Sequence, residues 1–598
     1  MSASSPIYPI YGWALAIQDR SAKKFLLFCG DISGIQKFVY QISSKGAYRT
    51  LKGRSFFIQL FSEILARNFV SEFSLSLPNI LYASGGKFYL LLPNTEHTES
   101  KLSNLTDRLN AWLFKKFSGD LYVRIGFEAL SGADLSKKNG QTLYDIWDML
   151  TRKLMFEDRK RYQSLAATDY ELVFGTNKFK TMSCRVCHSS IESGEQCRTC
   201  KDMEEMGRVL PNNSFVAVSE KQEAIEGNRH IFELKGVFSK DTYVWILPAE
   251  QILSSTSTPI TFLSINDVNF SSIPLRFPYP ERVNSCLFVL GSNYSFDKTF
   301  EEIANESKGI KRLGILRLDV DDLGKIFSLG LKSYRHKKAV SKRFYSLGRI
   351  TTLSSQLNLF FGAIVPQIIV SDSSFSKRVT VVYSGGDDLF LLGAWDAIPH
   401  IAFRIRKTFQ EFTCFNPCFG LSGGITITGG KFPIYKGAEL AGDAETKAKK
   451  NKYRTKDGSV RNKNSLTFLD VPIAWPEFEE LIGIYNHILD LLSNERFYPL
   501  LRRLRDIAYL WEKDKLFFRE KITLSIQEVK DRLMAEKWRW RMVYSLGRFS
   551  EKYSEIENKI DKIQSFTTGT MEATDRNGIE FLGLLSRWWE LTLRKETA

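Results

Sequence analysis

Residues 25–38, FLLFCGDISGIQKF, open as an unbroken apolar run, end that run at Asp31, turn at Ser33-Gly34 and continue with apolar positions at helical spacing. An apolar run of this length closed by a turn reads as a strand covered on both faces, and the change of period after it marks a helix. The same grammar returns 288 residues later in LGILRLDVDDLGKIF at 313–327, where Asp31 falls on Asp319, Ile32 on Val320 and Ile35 on Leu323. Downstream of each copy come a strand, a double-glycine turn and a second strand: NILYASGGKFYLLLP at 79–93 and RVTVVYSGGDDLFLLGAW at 378–395. From Asp31 to Gly85 is 54 residues and from Asp319 to Gly385 is 66, room in both for the helices that must link strands of one sheet. The chain therefore holds two homologous α/β units, each with a hairpin at its centre.

Between the units lie short β-like runs, HIFELKGVF and YVWILPA, and a cluster of cysteines. After residue 471 the texture changes: Leu481, Ile484, Tyr485, Ile488, Leu491 and Leu492 have helical spacing, and similar patterns recur towards Trp588 and Trp589, which predicts a helical bundle. A chain of 598 residues is long enough for about four domains. The expected division is a first unit at 1–175, a linker domain at 176–300, a second unit at 301–470 and a helical domain at 471–598.

Composition is that of a globular protein, with 43% hydrophobic and 25% charged residues, which excludes wholesale disorder and fibrous repeats. The formal charge of +16 favours polyanionic partners, although a basic soluble surface fits the charge equally well. The N-terminus MSASSPIYPIYGW lacks the basic and apolar regions of a secretory signal. Phe360 to Val370 reads as too short and too Pro-interrupted to span a bilayer. The expectation is a cytoplasmic protein with no membrane contact.

Cys184-x-x-Cys187, nine residues, then Cys197-x-x-Cys200 makes two knuckles able to place four thiolates on one Zn²⁺. Four sulfurs leave no open position, so the ion is expected to be structural, with His188 a neighbour and not a ligand. A pair of redox dithiols is the competing reading. Cys29, Cys286, Cys414 and Cys418 read as buried small hydrophobes or bystanders. None of the six histidines is followed by aspartate, so the dyad of an HD-type metal nuclease is not found in this chain.

Ser384-Gly385-Gly386-Asp387-Asp388, taken alone, is an ordinary hairpin tip, since paired glycines accept positive φ. Its context changes that reading, because Asp319 ends an apolar strand of the same unit at the edge where a sheet would bring it to Asp387 and Asp388. Converging carboxylates repel unless cations sit between them, and such hard oxygen donors select Mg²⁺ or Mn²⁺. A pair of such ions suits nucleotidyl transfer. Downstream, AGDAETKAKK at 441–450 looks helical, and its lysines, Lys447 and Lys449 among them, are candidates for neutralising a triphosphate. The first unit has Gly85-Gly86-Lys87-Phe88 in place of the acidic tip. It should not bind catalytic metal, although Ser33-Gly34, Gly85-Gly86 and Lys87 offer backbone N–H groups and a positive charge to a nucleotide.

With these motifs in order, the chain resembles the large polymerase/cyclase-like subunit of type III CRISPR effector complexes, especially the type III-A form. The resemblance covers most of the chain. It rests on Gly30-Asp31-Ile32-Ser33-Gly34-Ile35-Gln36, Gly85-Gly86-Lys87-Phe88, the four cysteines, Leu318-Asp319-Val320-Asp321, Leu353-Ser354 with Phe360-Phe361, Gly385-Gly386-Asp387-Asp388 and Ala448-Lys449. It implies an α/β multidomain fold: two ferredoxin-like, nucleotide-cyclase-like palm domains, a zinc-bearing linker domain and a C-terminal helical bundle. It implies an ATP-dependent nucleotidyltransferase that makes 3′–5′ linked cyclic oligoadenylates when its complex of other effector subunits and crRNA pairs with target RNA.

By the same resemblance, Asp319, Val320, Asp387 and Asp388 would hold Mg²⁺ or Mn²⁺, with Co²⁺ a third candidate. Asp319, Asp387 and Asp388 would be catalytic, Ser33 and Ser384 would lie near adenine or ribose, and Lys449 would face the triphosphate. Many relatives begin with an HD nuclease domain whereas this sequence begins directly at the first palm, so no HD-type DNase is expected of it. The alternatives are a diguanylate-cyclase-like enzyme, against which Leu389 after Asp388 speaks, and a catalytically silent RNA-binding scaffold.

Overall fold

The computed structural model describes residues 20–40, 42, 47–135, 140–175, 182–210, 215–222, 231–247, 259–267, 269, 283–293, 298–327, 346–386, 388–518 and 537–594. Asp387, one of the expected metal ligands, lies outside the described residues.

The first unit begins with β1 (Phe25–Ser33), α1 (Ile35–Tyr40) and the long α2 (Ala47–Glu72). The hairpin β2 (Ile80–Ser84) and β3 (Lys87–Pro93) follows, then α3 (Thr98–Phe117), β4 (Tyr122–Leu130) and α4 (Gly140–Glu157). These strands form one sheet in the order β2-β3-β1-β4. β1 is central and buried along nearly its whole length, which is why its sequence is continuously apolar and not alternating.

A segment of different character follows. It contains α5 (Arg198–Val209), the strands β5 (Phe215–Ser219), β6 (Phe232–Leu234), β7 (Thr242–Leu247), β8 (Ile260–Ile265) and β9 (Val283–Phe288), and a separate sheet in the order β9-β8-β5-β7-β6. α5 crosses α2 with backbone against backbone. A β-carbon on Gly53 would lie 1.8 Å from the Met203 carbonyl oxygen, and one on Gly207 1.9 Å from that of Arg49, so only glycines allow this crossing.

The second unit contains β10 (Leu313–Val320), α6 (Leu347–Leu359), the hairpin β11 (Val379–Gly385) and β12 (Asp388–Ala394), α7 (Ile398–Phe412), β13 (Leu421–Thr428) and α8 (Ile434–Lys450). With β14 (Ser465–Phe468) and β15 (Val471–Ala474) its sheet runs β11-β12-β10-β13-β14-β15. Its first four strands repeat the order of the first sheet. Even the irregularity repeats, for the first hairpin slips register between Ile80 and Tyr82 and the second between Val381 and Tyr383. A bulge at the same place in both hairpins is strong evidence of duplication.

The helix that starts as α6 runs on past the expected stop. It passes through a π-turn at Phe360–Ile364 and continues over Val365–Ser371. The π-turn interrupts the i→i−4 ladder just before Pro366, where proline's missing N–H and its ring would otherwise break the helix. The whole Leu347–Ser371 run is long and apolar enough to cross a membrane by length and composition, which corrects the reading of this stretch as too short. Here Phe360, Phe361, Val365 and Ile369 are fully buried in the core of the second unit.

The chain closes with α9 (Trp475–Leu492), α10 (Tyr498–Phe518), α11 (Lys537–Lys552), α12 (Glu557–Thr568) and α13 (Ile579–Leu593). Leu481, Ile484, Tyr485, Ile488, Leu491 and Leu492 all point inward, as their spacing predicts. Trp588 stacks on Tyr485 with ring centroids 3.9 Å apart, and Trp589 donates its indole N–H to the Tyr485 carbonyl at 3.0 Å.

Candidate functional site

The two hairpins meet at their tips. Gly85 and Gly86 have φ of 62° and 86° and Gly386 has 66°, conformations that glycine adopts without strain. A β-carbon on Gly385 would lie 2.8 Å from Gly85 Cα, and one on Gly85 would lie 3.1 Å from the Gly385 carbonyl oxygen. The tips therefore touch backbone to backbone. Around them Gln59 donates to the Ser384 carbonyl, the Tyr48 hydroxyl lies 2.9 Å from Thr380 Oγ1, and Ser84 Oγ donates to Asn358 Oδ1 at 2.9 Å. The Tyr40 ring lies 4.7 Å from that of Phe390.

A cleft of about 290 Å³ opens along this seam. Its walls include Tyr40, Tyr82, Gly85 and Lys87 from the first unit and Asp319, Tyr383, Gly385 and Asp388 from the second. A wider cleft of about 740 Å³ adjoins it, sharing Gln36 and Tyr40 and adding Arg317, Tyr435, Glu445 and Thr446.

Strand register explains which carboxylates converge. Asp319 pairs with Asp388 on one side and with Ser422 on the other, so all three side chains leave the same face of the sheet. An alternately charged chain links the two acids. Asp388 Oδ2 is 4.0 Å from Arg317 Nη2, Arg317 Nε is 3.3 Å from Glu445 Oε2, and Lys449 Nζ is 2.6 Å from both Glu445 Oε1 and Asp319 Oδ2. Burial opposes the charge on Lys449, but Asp319 and Glu445 more than offset it and raise its pKa above the usual lysine value. Paired acids on one face, among hard oxygen donors, suit a divalent cation bound to phosphate oxygens.

The first unit has a different solution at the matching positions. Asp31 pairs with Lys87 on one side and Arg124 on the other, so Lys87 stands where the second unit has Asp388, and Arg124 where it has Ser422. Asp31 is 4% exposed. Its Oδ2 accepts from Arg124 Nε at 2.9 Å and Nη2 at 2.7 Å, with Lys87 Nζ at 3.9 Å. Protein cations thus compensate the one acid that the unit keeps.

Several expected binding residues turn elsewhere. Ser384 is buried, and its Cβ lies only 2.5 Å from where a β-carbon on Gly291 would stand, so it faces away from the cleft that its neighbours Tyr383 and Gly385 line. Ser33 donates to Asp158 at 3.1 Å. Gly34 packs against the Asp120 carbonyl, Gly86 against Ile35 and Gly386 against the Tyr82 hydroxyl. Lys447 pairs with Asp470. Val320 is 2% exposed at the end of β10. Asp321, next along, accepts from the Asn464 N–H at 2.8 Å, and burial pushes its pKa above the usual carboxylate value. The spacing did carry a signal for one overlooked residue: Arg317 is two positions before Asp319, hence on the same strand face. Tyr82 and Tyr383 are also matched, each next to the bulge of its hairpin, a match that only the strand register reveals.

Away from the cleft, the sulfurs of Cys184, Cys187, Cys197 and Cys200 all lie within 4.8 Å of one another. Thiolates around a tetrahedral zinc with bonds of about 2.3 Å stand about 3.8 Å apart, and Cys187 and Cys197 Sγ are 3.7 Å apart. Arg54 Nη2 donates to Cys200 Sγ at 3.1 Å, a bond of the kind that orients a metal ligand. Of the other cysteines Cys29 is buried, Cys286 is half-buried, and Cys414 and Cys418 are exposed.

Residues 24–175 match the family model for the Csm1 subunit domain B, and residues 312–458 match that for the Cas10/Cmr2 second palm domain. The "CRISPR system single-strand-specific deoxyribonuclease Cas10/Csm1 (subtype III-A)" of Enterococcus italicus is 32% identical over 469 residues, covering 77% of this chain and 56% of that protein. The protein of the same name from Mycobacterium tuberculosis is 27% identical over 562 residues, covering 88% and 62%. The chain spans about three fifths of the length of the curated relatives it matches. Among solved structures, that of the apo Csm1-Csm4 cassette aligns with a TM-score of 0.67 at 20% identity, covering 96% of this chain and 71% of that one. The cassette in complex with cA4 aligns at 0.64 and 20%, covering 96% and 71%. At that identity the likeness is one of fold.

Proposed function

Carrying a Csm1 domain B and a Cas10/Cmr2 second palm domain, this chain is a homologue of the Cas10/Csm1 proteins of subtype III-A, and from that premise we propose that it is the large subunit of a type III CRISPR effector complex that joins ATP into 3′–5′ linked cyclic oligoadenylates when target RNA pairs with the crRNA. The observation that carries this reading is the cleft on the seam of two like units, with the acids Asp319 and Asp388 on one wall and Lys87 on the other. The division into palms at 1–175 and 301–470, a linker at 176–300 and a helical domain at 471–598 belongs to the same reading.

Asp319 and Asp388, with Asp387 and the Val320 carbonyl, would hold Mg²⁺ or Mn²⁺, which when bound supplies Lewis-acid stabilisation of phosphoryl charge. Lys87 lines the cleft and Lys449 is paired with Asp319, which lines it too, so these are the two ammonium groups for a triphosphate. The bare backbones of Gly85 and Gly385 let two nucleotides approach across the seam without a side chain between them. The four cysteines hold a structural zinc. The relatives' name includes a single-strand-specific deoxyribonuclease, and we assign that activity to no residue of this chain. Other effector subunits, crRNA and target RNA are the partners this reading requires, and the cytoplasm is its place.

The test incubates the chain, alone and assembled, with each of the four ribonucleoside triphosphates, with and without matching target RNA, and identifies products by mass. Cyclic oligoadenylates from ATP, abolished by Asp387→Ala/Asp388→Ala, are expected. No pyrophosphate release under any condition would favour a silent scaffold, and a product from GTP alone a diguanylate cyclase.

A further inference from the structure

We propose that Lys449 is a resident counter-ion of the metal site, one that must leave Asp319 for the metal to enter and that Glu445 carries across to the substrate phosphates as it does so. The inference rests on the metal reading of the same cleft and adds to it an order of events and two positioning groups.

The geometry supplies the competition. Lys449 Nζ stands 2.6 Å from Asp319 Oδ2, the distance of a full ion pair, and a divalent cation on that oxygen would stand close to the ammonium and be repelled by it. The second carboxylate explains why displacement need not expel Lys449 from the site. Glu445, one turn earlier on α8, holds the same Nζ at 2.6 Å and is itself paired in charge with Arg317 at 3.3 Å. Arg317 has its place because position 442 is glycine, where a β-carbon would come within 2.8 Å of Nη1.

The moving part is the lysine stem. α8 is pressed on β13 so closely that a β-carbon on Gly424 would lie 2.3 Å from the Glu445 backbone nitrogen, which holds the helix backbone still. The Lys449 side chain is 31% exposed whereas that of Glu445 is 9% exposed, so the ammonium can swing on a flexible stem about a fixed carboxylate. Charge favours that swing. Asp319, Asp387, Asp388 and Glu445 against Arg317 and Lys449 sum to −2; a divalent cation cancels that excess, and an anionic phosphate is then the group that satisfies the ammonium displaced from Asp319.

The test titrates the full chain with Mn²⁺ in the absence of nucleotide, reading free Mn²⁺ by its paramagnetic resonance, and then measures the ATP KM at saturating Mn²⁺. Lys449→Met should bind Mn²⁺ about fivefold more tightly, about 1 kcal/mol, while its KM for ATP rises. Glu445→Gln should do the opposite to the metal, because Lys449 then has Asp319 as its sole carboxylate among the described residues, and Mn²⁺ should bind more weakly. A merely structural role for either residue would weaken metal binding in both variants, and thermal melting identifies any variant that fails to fold. Unchanged or weaker Mn²⁺ binding in folded Lys449→Met, or tighter binding in Glu445→Gln, overturns the proposal. Mn²⁺ binding lost in Asp388→Asn but unmoved by Lys449→Met sinks the relay alone, whereas no binding by the unmodified chain sinks the metal reading with it.

Discussion

Asp31 and Asp319 occupy the same position in two copies of one unit, yet one is sealed beneath Arg124 and the other opens on the cleft. The side chains of Asp31 and Arg124 are 6% and 22% exposed, so removing the guanidinium leaves a buried carboxylate to the longer pair with Lys87 at 3.9 Å. Arg124→Ala should cost about 3–5 kcal/mol in urea unfolding, and adding Asp31→Leu should recover part of it, because a missing pair is tolerated better than a broken one. The sequence revealed Asp319 and Asp388 because each ends or begins a strand with a clear pattern. Ser384 turns away from the cleft because the side-chain period of two sends every second residue to the other face: Tyr383 and Gly385 line the cleft and their neighbour packs on Gly291. The sequence hid a shift of one. Matching the double glycines sets Lys87 beside Asp387, whereas the register sets it opposite Asp31, where Asp388 stands opposite Asp319. Charge pairs between helix and strand, such as Arg317 with Glu445, join residues 128 apart and leave no trace in local spacing.

α2 shows how an element can be plain in outline and hidden in detail. Its helical pattern packs it on the first sheet, but it also crosses α5, and at that crossing Lys52 is 2% exposed. Burial lowers the Lys52 pKa from 10.5 to about 7. Between those values the unfolded chain binds more protons than the folded one, so stability owed to this group rises as pH climbs from about 7 to 10.5. Lys52→Met should therefore stabilise the protein more at low pH than at high pH, the difference closing towards pH 10; urea unfolding at pH 6 and pH 10 checks this. Strands and the C-terminal helices were legible because burial on one or both faces imprints a period. The length of the helix from Leu347 to Ser371 was not, because a proline normally ends a helix and only the π-turn before it shows otherwise.

Across the molecule, the duplication, the cysteine cluster and the change to helices after residue 471 were visible in the sequence, whereas the faces by which the two units meet were not. Recognising copies says nothing about which faces meet. The segment that carries the four cysteines is joined to the first unit through the Gly53 and Gly207 crossing, so loss of a metal held by those cysteines should be felt beyond them. Elemental analysis should find one zinc per chain, and stripping it with a chelator, or Cys184→Ser, should lower Tm by about 5–10 °C.

The meeting of the two glycine tips has a further meaning when set beside an assembly of separate subunits. Two identical palms associating from solution would carry the same residue at every matched position, so a lysine on one side would entail a lysine on the other. Here Lys87 and Asp388 fill equivalent places on opposite walls of one cleft. Covalent linkage lets the partners diverge, so a single gene lays down a polarised site with one cationic lip and one acidic lip, and fixes at synthesis which half plays which part.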